Sequence, residues 1–154
     1  MPLSRLLPAV IAALAAAVPA QADPGHAHFS AGVPGDPRKP ARVIEVLMRE
    51  GNGTMSYVPD RVEVKRGEQV RFVIRNVGAL AHEFVLASTA DNLKHAALMQ
   101  KYPDMEHDDP NGKTVQPKGS SEILWRFTRR GEFEFGCLIP GHREAGMLGK
   151  ILVK

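Results

Sequence analysis

Cysteine is almost absent from this chain: Cys137 stands alone among 154 residues. A single thiol cannot close an internal disulfide, and structural zinc sites built from several thiolates are out of reach. Charge of one sign is lacking too. Lys and Arg number 20 against 17 Asp and Glu, a formal +3 with the two signs interspersed, so no nucleic-acid-binding face is expected. Past Val18 there is no apolar run of spanning length, and no membrane span is expected in the body of the chain.

The apolar run that does exist lies at the start. Residues 1–22 read as a secretory signal peptide: Arg5, a Leu/Ala/Val-rich stretch from Leu6 to Val18, then Ala20-Gln21-Ala22 as a small-x-small cleavage site. The stretch is too short to cross a bilayer and contains Pro8. Cleavage after Ala22 would give a soluble, exported, periplasmic protein, and residues 23–154 suffice for one domain with a substantial core. In an oxidising compartment a free thiol is open to oxidation and mispairing, and ligation to a metal protects it.

The lone cysteine sits in the stretch that organises the chain, Cys137-Leu138-Ile139-Pro140-Gly141-His142-Arg143-Glu144-Ala145-Gly146-Met147. A thiol, an imidazole and a thioether at C-x4-H-x4-M spacing suit copper, because soft sulfur selects Cu(I) and imidazole accepts both oxidation states. A second histidine must come from elsewhere, and His82, opening the hydrophobic run His82-Glu83-Phe84-Val85-Leu86, is the best candidate. An early histidine followed much later by Cys, His and Met resembles the cupredoxin family over roughly residues 42–154. The resemblance implies ligation of one type 1 copper by His82, Cys137, His142 and Met147. The gap between Cys137 and His142 is longer than in plastocyanins and resembles that of other members. One cysteine cannot build a binuclear copper centre with two bridging thiolates, and six histidines cannot supply the clusters of multicopper oxidases.

Residues 23–41 are rich in Pro, Gly and Ala without periodicity and read as a flexible arm carrying His26 and His28. From Arg42 the pattern turns to strand. Runs at 42–48 and 54–58, strict alternation at Arg61-Val62-Glu63-Val64-Lys65, and Val70, Phe72 and Ile74 on one face of 69–77 all fit half-buried strands. In the next run His82, Phe84 and Leu86 share a face, so the ligand points where the core points. Ser88 to Lys101 reads as a helix with Ser88 or Thr89 as N-cap and Leu93, Ala97 and Leu98 as its apolar stripe. Tyr102 to Lys118 reads as a polar loop. Ile123, Trp125 and Phe127, then Phe133, Phe135 and Cys137, alternate inward, and 148–153 closes the sheet. The expected fold is all-β: a Greek-key cupredoxin-like β-sandwich of seven or eight strands with one short helix.

A second set of metal-binding side chains, His95 and Met99 at i, i+4 on the helix and Met105 and His107 in the polar loop, could hold labile copper together with His26 and His28. Packing of Met99 onto the sheet is the competing reading. Two roles follow. The first is a periplasmic mononuclear type 1 copper protein that transfers one electron at a time, with a redox partner docking transiently near His142 against Leu138, Ile139, Pro140, Ala145 and Leu148. The second is a periplasmic copper-tolerance protein that sequesters or delivers copper through the additional His and Met residues. Both readings are of a monomer, and neither is of an enzyme, since four ligands leave no open position for substrate.

Overall fold

The computed structural model describes residues 29–102 and 109–154. Ten strands and one helix are found among them: β1 (Val33–Pro34), β2 (Arg42–Gly51), β3 (Thr54–Val58), β4 (Arg61–Val64), β5 (Gln69–Asn76), β6 (His82–Ala87), α1 (Thr89–Lys101), β7 (Gly112–Val115), β8 (Ser120–Arg126), β9 (Gly131–Gly136) and β10 (Leu148–Val153). They form two five-stranded sheets, one ordered β1-β8-β5-β2-β3 and the other β4-β10-β9-β6-β7. Most neighbours are antiparallel, and β2·β5 and β4·β10 are the parallel pairs. The fold class is the expected cupredoxin-like sandwich, with two short strands, β1 and β7, beyond those read from the sequence.

Alternation explains the core. Val70, Phe72 and Ile74 of β5, Ile123 and Trp125 of β8, and Phe133 and Phe135 of β9 face one interior together with Phe84 and Leu86 of β6. Rings stack in its middle: Phe84 and Phe135 lie parallel at 4.8 Å, with Tyr57 edge-on to Phe135 at 5.0 Å. Edge and offset contacts of this kind add to the area the rings bury. Gly149 makes room for one of them, since a Cβ there would come within 2.2 Å of the Phe135 ring.

Three departures from the sequence reading have physical causes. The arm assigned to residues 23–41 is packed from Phe29 onward. The Phe29 ring stands edge-on to Trp125 at 5.4 Å, Ala31 is fully buried, and Val33 and Pro34 pair with β8. Gly32 allows this approach, because any Cβ would collide with the Arg126 carbonyl. Residues 1–28, with the expected leader, His26 and His28, lie outside the described residues. The helix has a different inward face: Leu93 and Leu98 are about half exposed, and Asn92 and Met99 are buried. Met99 joins Val85 and Leu138 in a small second core between helix and sheet. For that reason β6 is buried on both faces along its whole length, not on one. The polar loop 102–118 contains β7, paired with β6, where Thr114 and Val115 favour a strand, Gly112 and Lys113 do not, and tertiary pairing decides.

Candidate metal centre

Two segments from different parts of the chain meet at one end of the sandwich. The first is the turn between β5 and β6, which delivers His82. The second is the connection between β9 and β10. Because β10 pairs antiparallel with β9, with Leu148 opposite Gly136, Cys137 and Met147 face each other at the mouth of this loop, and the Cys137 N–H donates to the Met147 carbonyl at 3.2 Å.

Within the loop, backbone bonds replace side-chain packing. His142 N–H donates to the Ile139 carbonyl, Ala145 N–H to Gly141, Gly146 N–H to Arg143 and Met147 N–H to His142, each at 3.0 Å. Gly141 and Gly146 hold φ of 87° and 102°, left-handed values that other residues adopt only with strain. Strand β3 holds the loop from outside through the Met55 N–H, which donates to the Ala145 carbonyl at 2.9 Å.

The side chains converge. One ligand atom each from His82, Cys137 and His142 lies within 4.8 Å of the others. His82 Nδ1 is 3.2 Å from His142 Nδ1, which in turn is 3.4 Å from Cys137 Sγ. Met147 is fully buried in the same core cluster as Cys137. His82 and Cys137 are fully buried as well, and His142 is half-buried. Two imidazoles and a thiol so close have no covalent or ion-pair reason to be together, and this donor set fits copper in either oxidation state.

Protonation fits as well. Burial pushes the Cys137 thiol up to about 12, against the pull of the Glu83 N–H that donates to Sγ at 3.3 Å. Without metal the sulfur therefore keeps its proton, and binding must release it. Burial, seconded by His82, holds His142 below the ordinary imidazole value and so favours the neutral, ligating form.

Around the donors stands a shell that the sequence did not reveal. The carboxylate of Glu50, at the end of β2, lies 2.8 Å from His82 Nε2 and accepts the Ala79 and Leu80 N–H groups. The Leu80 N–H is the main reason its carboxyl is held below the usual range. Glu50 is 32 residues from His82, and no motif joins them. Glu83 ties the centre together: its N–H donates to Cys137 Sγ, its carbonyl accepts the buried Tyr57 hydroxyl, and its carboxylate accepts the Leu138 N–H at 3.2 Å. Arg143, the residue after His142, turns inward. Its guanidinium grips buried Glu134 of β9 with two bonds of 2.6 and 3.1 Å, and Glu134 also accepts the Thr89 hydroxyl at 2.9 Å.

The remaining candidates are scattered. His95 lines a cavity of about 30 Å³ with Glu83, Asp109, Asn111 and Lys113 and is not among the three converging donors. Met99 packs with Val85 and Leu138. Met105 and His107 lie outside the described residues. Leu138 is buried under the helix, which removes it from the apolar patch expected around His142; Ile139, Pro140, Ala145 and Leu148 retain some exposure. No helix among the described residues is long and apolar enough to cross a membrane.

Known proteins share this architecture and sequence. The model of the plastocyanin/azurin family of copper-binding proteins matches residues 44–154. A copper-resistant cuproprotein, CopI, from Rubrivivax gelatinosus is 46% identical over 98% of this chain and 99% of its own length. The protein of the same name from Pseudomonas aeruginosa is 36% identical, with 97% of each chain covered. Among solved structures, auracyanin B superposes with a TM-score of 0.64 at 21% identity, over 82% of this chain and 98% of its own, a likeness of fold.

Proposed function

Since the chain belongs to the plastocyanin/azurin family of copper-binding proteins, we propose that His82, Cys137, His142 and Met147 hold a single type 1 copper and that the protein serves periplasmic copper tolerance through this one-electron site. The observation that carries the reading is the convergence of the His82, Cys137 and His142 donor atoms within 4.8 Å. When bound, copper supplies a couple between Cu(I) and Cu(II). The chain supplies the rest. Strand pairing fixes His82 and Cys137 before any metal arrives, so little has to reorganise when the charge on the site changes. Full burial of Cys137 excludes water and oxidants from the sulfur. The Glu83 N–H, donating to Sγ, withdraws electron density from it. Met147, buried beside the loop mouth, would be the fourth donor.

The tolerance role draws on relatives 46% and 36% identical along nearly the whole chain whose names describe copper-resistant cuproproteins rather than enzymes. A host strain deleted for the gene should become more sensitive to copper, and the wild-type chain but not Cys137→Ser should restore it. A second reading, a dedicated electron carrier, is favoured by His142, half-buried among Ile139, Pro140 and Ala145 where a redox partner could dock. Unchanged copper sensitivity with impaired electron flow in the deleted strain would select that reading. Replacement of His95, Met99, Met105 and His107 together tests the auxiliary sites: a drop in copper stoichiometry assigns them labile copper, and an unchanged one removes them.

A further inference from the structure

The two histidines at the centre are held differently, and His82 is held by a charge. Its Nε2 meets Glu50 Oε1 at 2.8 Å while its Nδ1 faces His142. An imidazole has only these two nitrogens, so occupying one fixes which is left for a metal. The carboxylate is itself seated with care. Ala79 N–H reaches both of its oxygens, at 3.0 and 3.1 Å, and Leu80 N–H reaches Oε1 at 2.8 Å. Asn76 shapes the turn around it, accepting the Gly78 N–H at 3.0 Å and donating to the Leu80 carbonyl at 2.7 Å. Gly78 leaves the space that the carboxylate fills, for a Cβ there would lie 2.2 Å from Glu50 Oε1. The whole β5–β6 turn is thus built around one acidic side chain aimed at the back of His82.

We propose that Glu50 is the positioning residue of the copper site, turning His82 so that Nδ1 is the ligating nitrogen and biasing the bound metal toward Cu(II). The inference rests on His82 being a ligand. A carboxylate on the far nitrogen raises the basicity of a ligating imidazole. Reduction removes one positive charge from the site, so a fixed negative charge behind His82 stabilises the oxidised form more than the reduced one.

Glu50→Gln keeps an oxygen for the Ala79 and Leu80 amides and for His82 while removing the charge. Gly78→Ala keeps the charge but drives the carboxylate, the far end of a flexible side chain, out of its seat. The copper-loaded full chain should retain one copper and its thiolate charge-transfer band in both variants. Voltammetry should show the preference for Cu(II) over Cu(I) falling by about tenfold in each, a rise of about 59 mV for one electron. In the diamagnetic Cu(I) form, the His82 Nε2–H proton should be slowly exchanging in the wild type, shifted upfield in Glu50→Gln and rapidly exchanging in Gly78→Ala. A carboxylate that merely caps the turn would lower thermal stability and leave potential and proton signal where they were, and that result overturns the proposal. His82→Ala separates the two levels of the argument. If it keeps the charge-transfer band, the ligand assignment fails; if it loses the band while Glu50→Gln leaves the potential unchanged, only the role of Glu50 fails.

Discussion

The strand-borne half of the site and the loop-borne half reach the same point by opposite means. His82 enters on β6, a strand buried on both faces, and is fixed from behind by Glu50. His142 enters on an irregular loop whose order comes from short backbone bonds, two glycines in left-handed conformations and the ion pair between Arg143 and Glu134. The first half is preorganised by the sheet and cannot move without the core. The second is a local structure clipped to the sheet at a few points, with its histidine half-buried. One histidine of the site is thereby fully buried while the other reaches the surface.

Breaking the clip tests this contrast most severely. Arg143→Ala strands the Glu134 carboxylate, 2% exposed, without its charge partner, and should destabilise the fold by about 3–5 kcal/mol in chemical denaturation. Copper affinity should fall with it, because the loop that carries His142 loses its tie to β9 and to the start of the helix. In the strand-borne half, Asn76→Ala removes the side chain that donates to the Leu80 and Val115 carbonyls and accepts the Gly78 N–H. Leaving the buried Val115 carbonyl unsatisfied and the turn without its brace should cost about 1–3 kcal/mol, with loosening of His82 visible as a broadened charge-transfer band.

The difference between these halves also explains what could be read from sequence. The convergence of Cys137 and His142 is legible because residues of one loop lie close together in the chain, and that of His82 because alternation placed it on the core face. Glu50 was invisible: it belongs to a strand 32 residues away, and a Glu before a Gly-Asn-Gly turn looks like ordinary solvent-facing polarity. Glu134 was hidden by its own pattern, alternating with Phe133 and Phe135 as a surface residue would, while Thr89 and Arg143 cover it. Helix α1 misled in the same way. Its leucines suggested an inward stripe, yet the small second core of Val85, Met99 and Leu138 selects the opposite side. Sheet positions followed local alternation, and each failure came where a separate element covered a face that alternation assigns to water.

Titration sharpens the contrast at the loop. Burial lowers the pKa of His142 in the folded apoprotein, so between that lowered value and about 6.5 the unfolded chain binds more protons. Apoprotein stability should therefore rise with pH up to about 6.5 and level off above it. Thermal melts across that range should show the slope in the wild type and a reduced slope in His142→Ala. The smallest effect belongs to an ion pair that looks like the clip but is not one. Lys150 and Glu132 pair on the surface with both side chains about half exposed, and Lys150→Ala should change stability by less than about 1 kcal/mol.

The central claim is a preassembled copper site made by joining these two halves, and copper titration of the apoprotein followed by visible absorption tests it most directly. One tightly held equivalent is expected, with an intense thiolate-to-copper band that saturates with it and is absent from both Cys137→Ser and His82→Ala. An intense band surviving in Cys137→Ser, or tight copper uptake by the wild type with no such band, would contradict it.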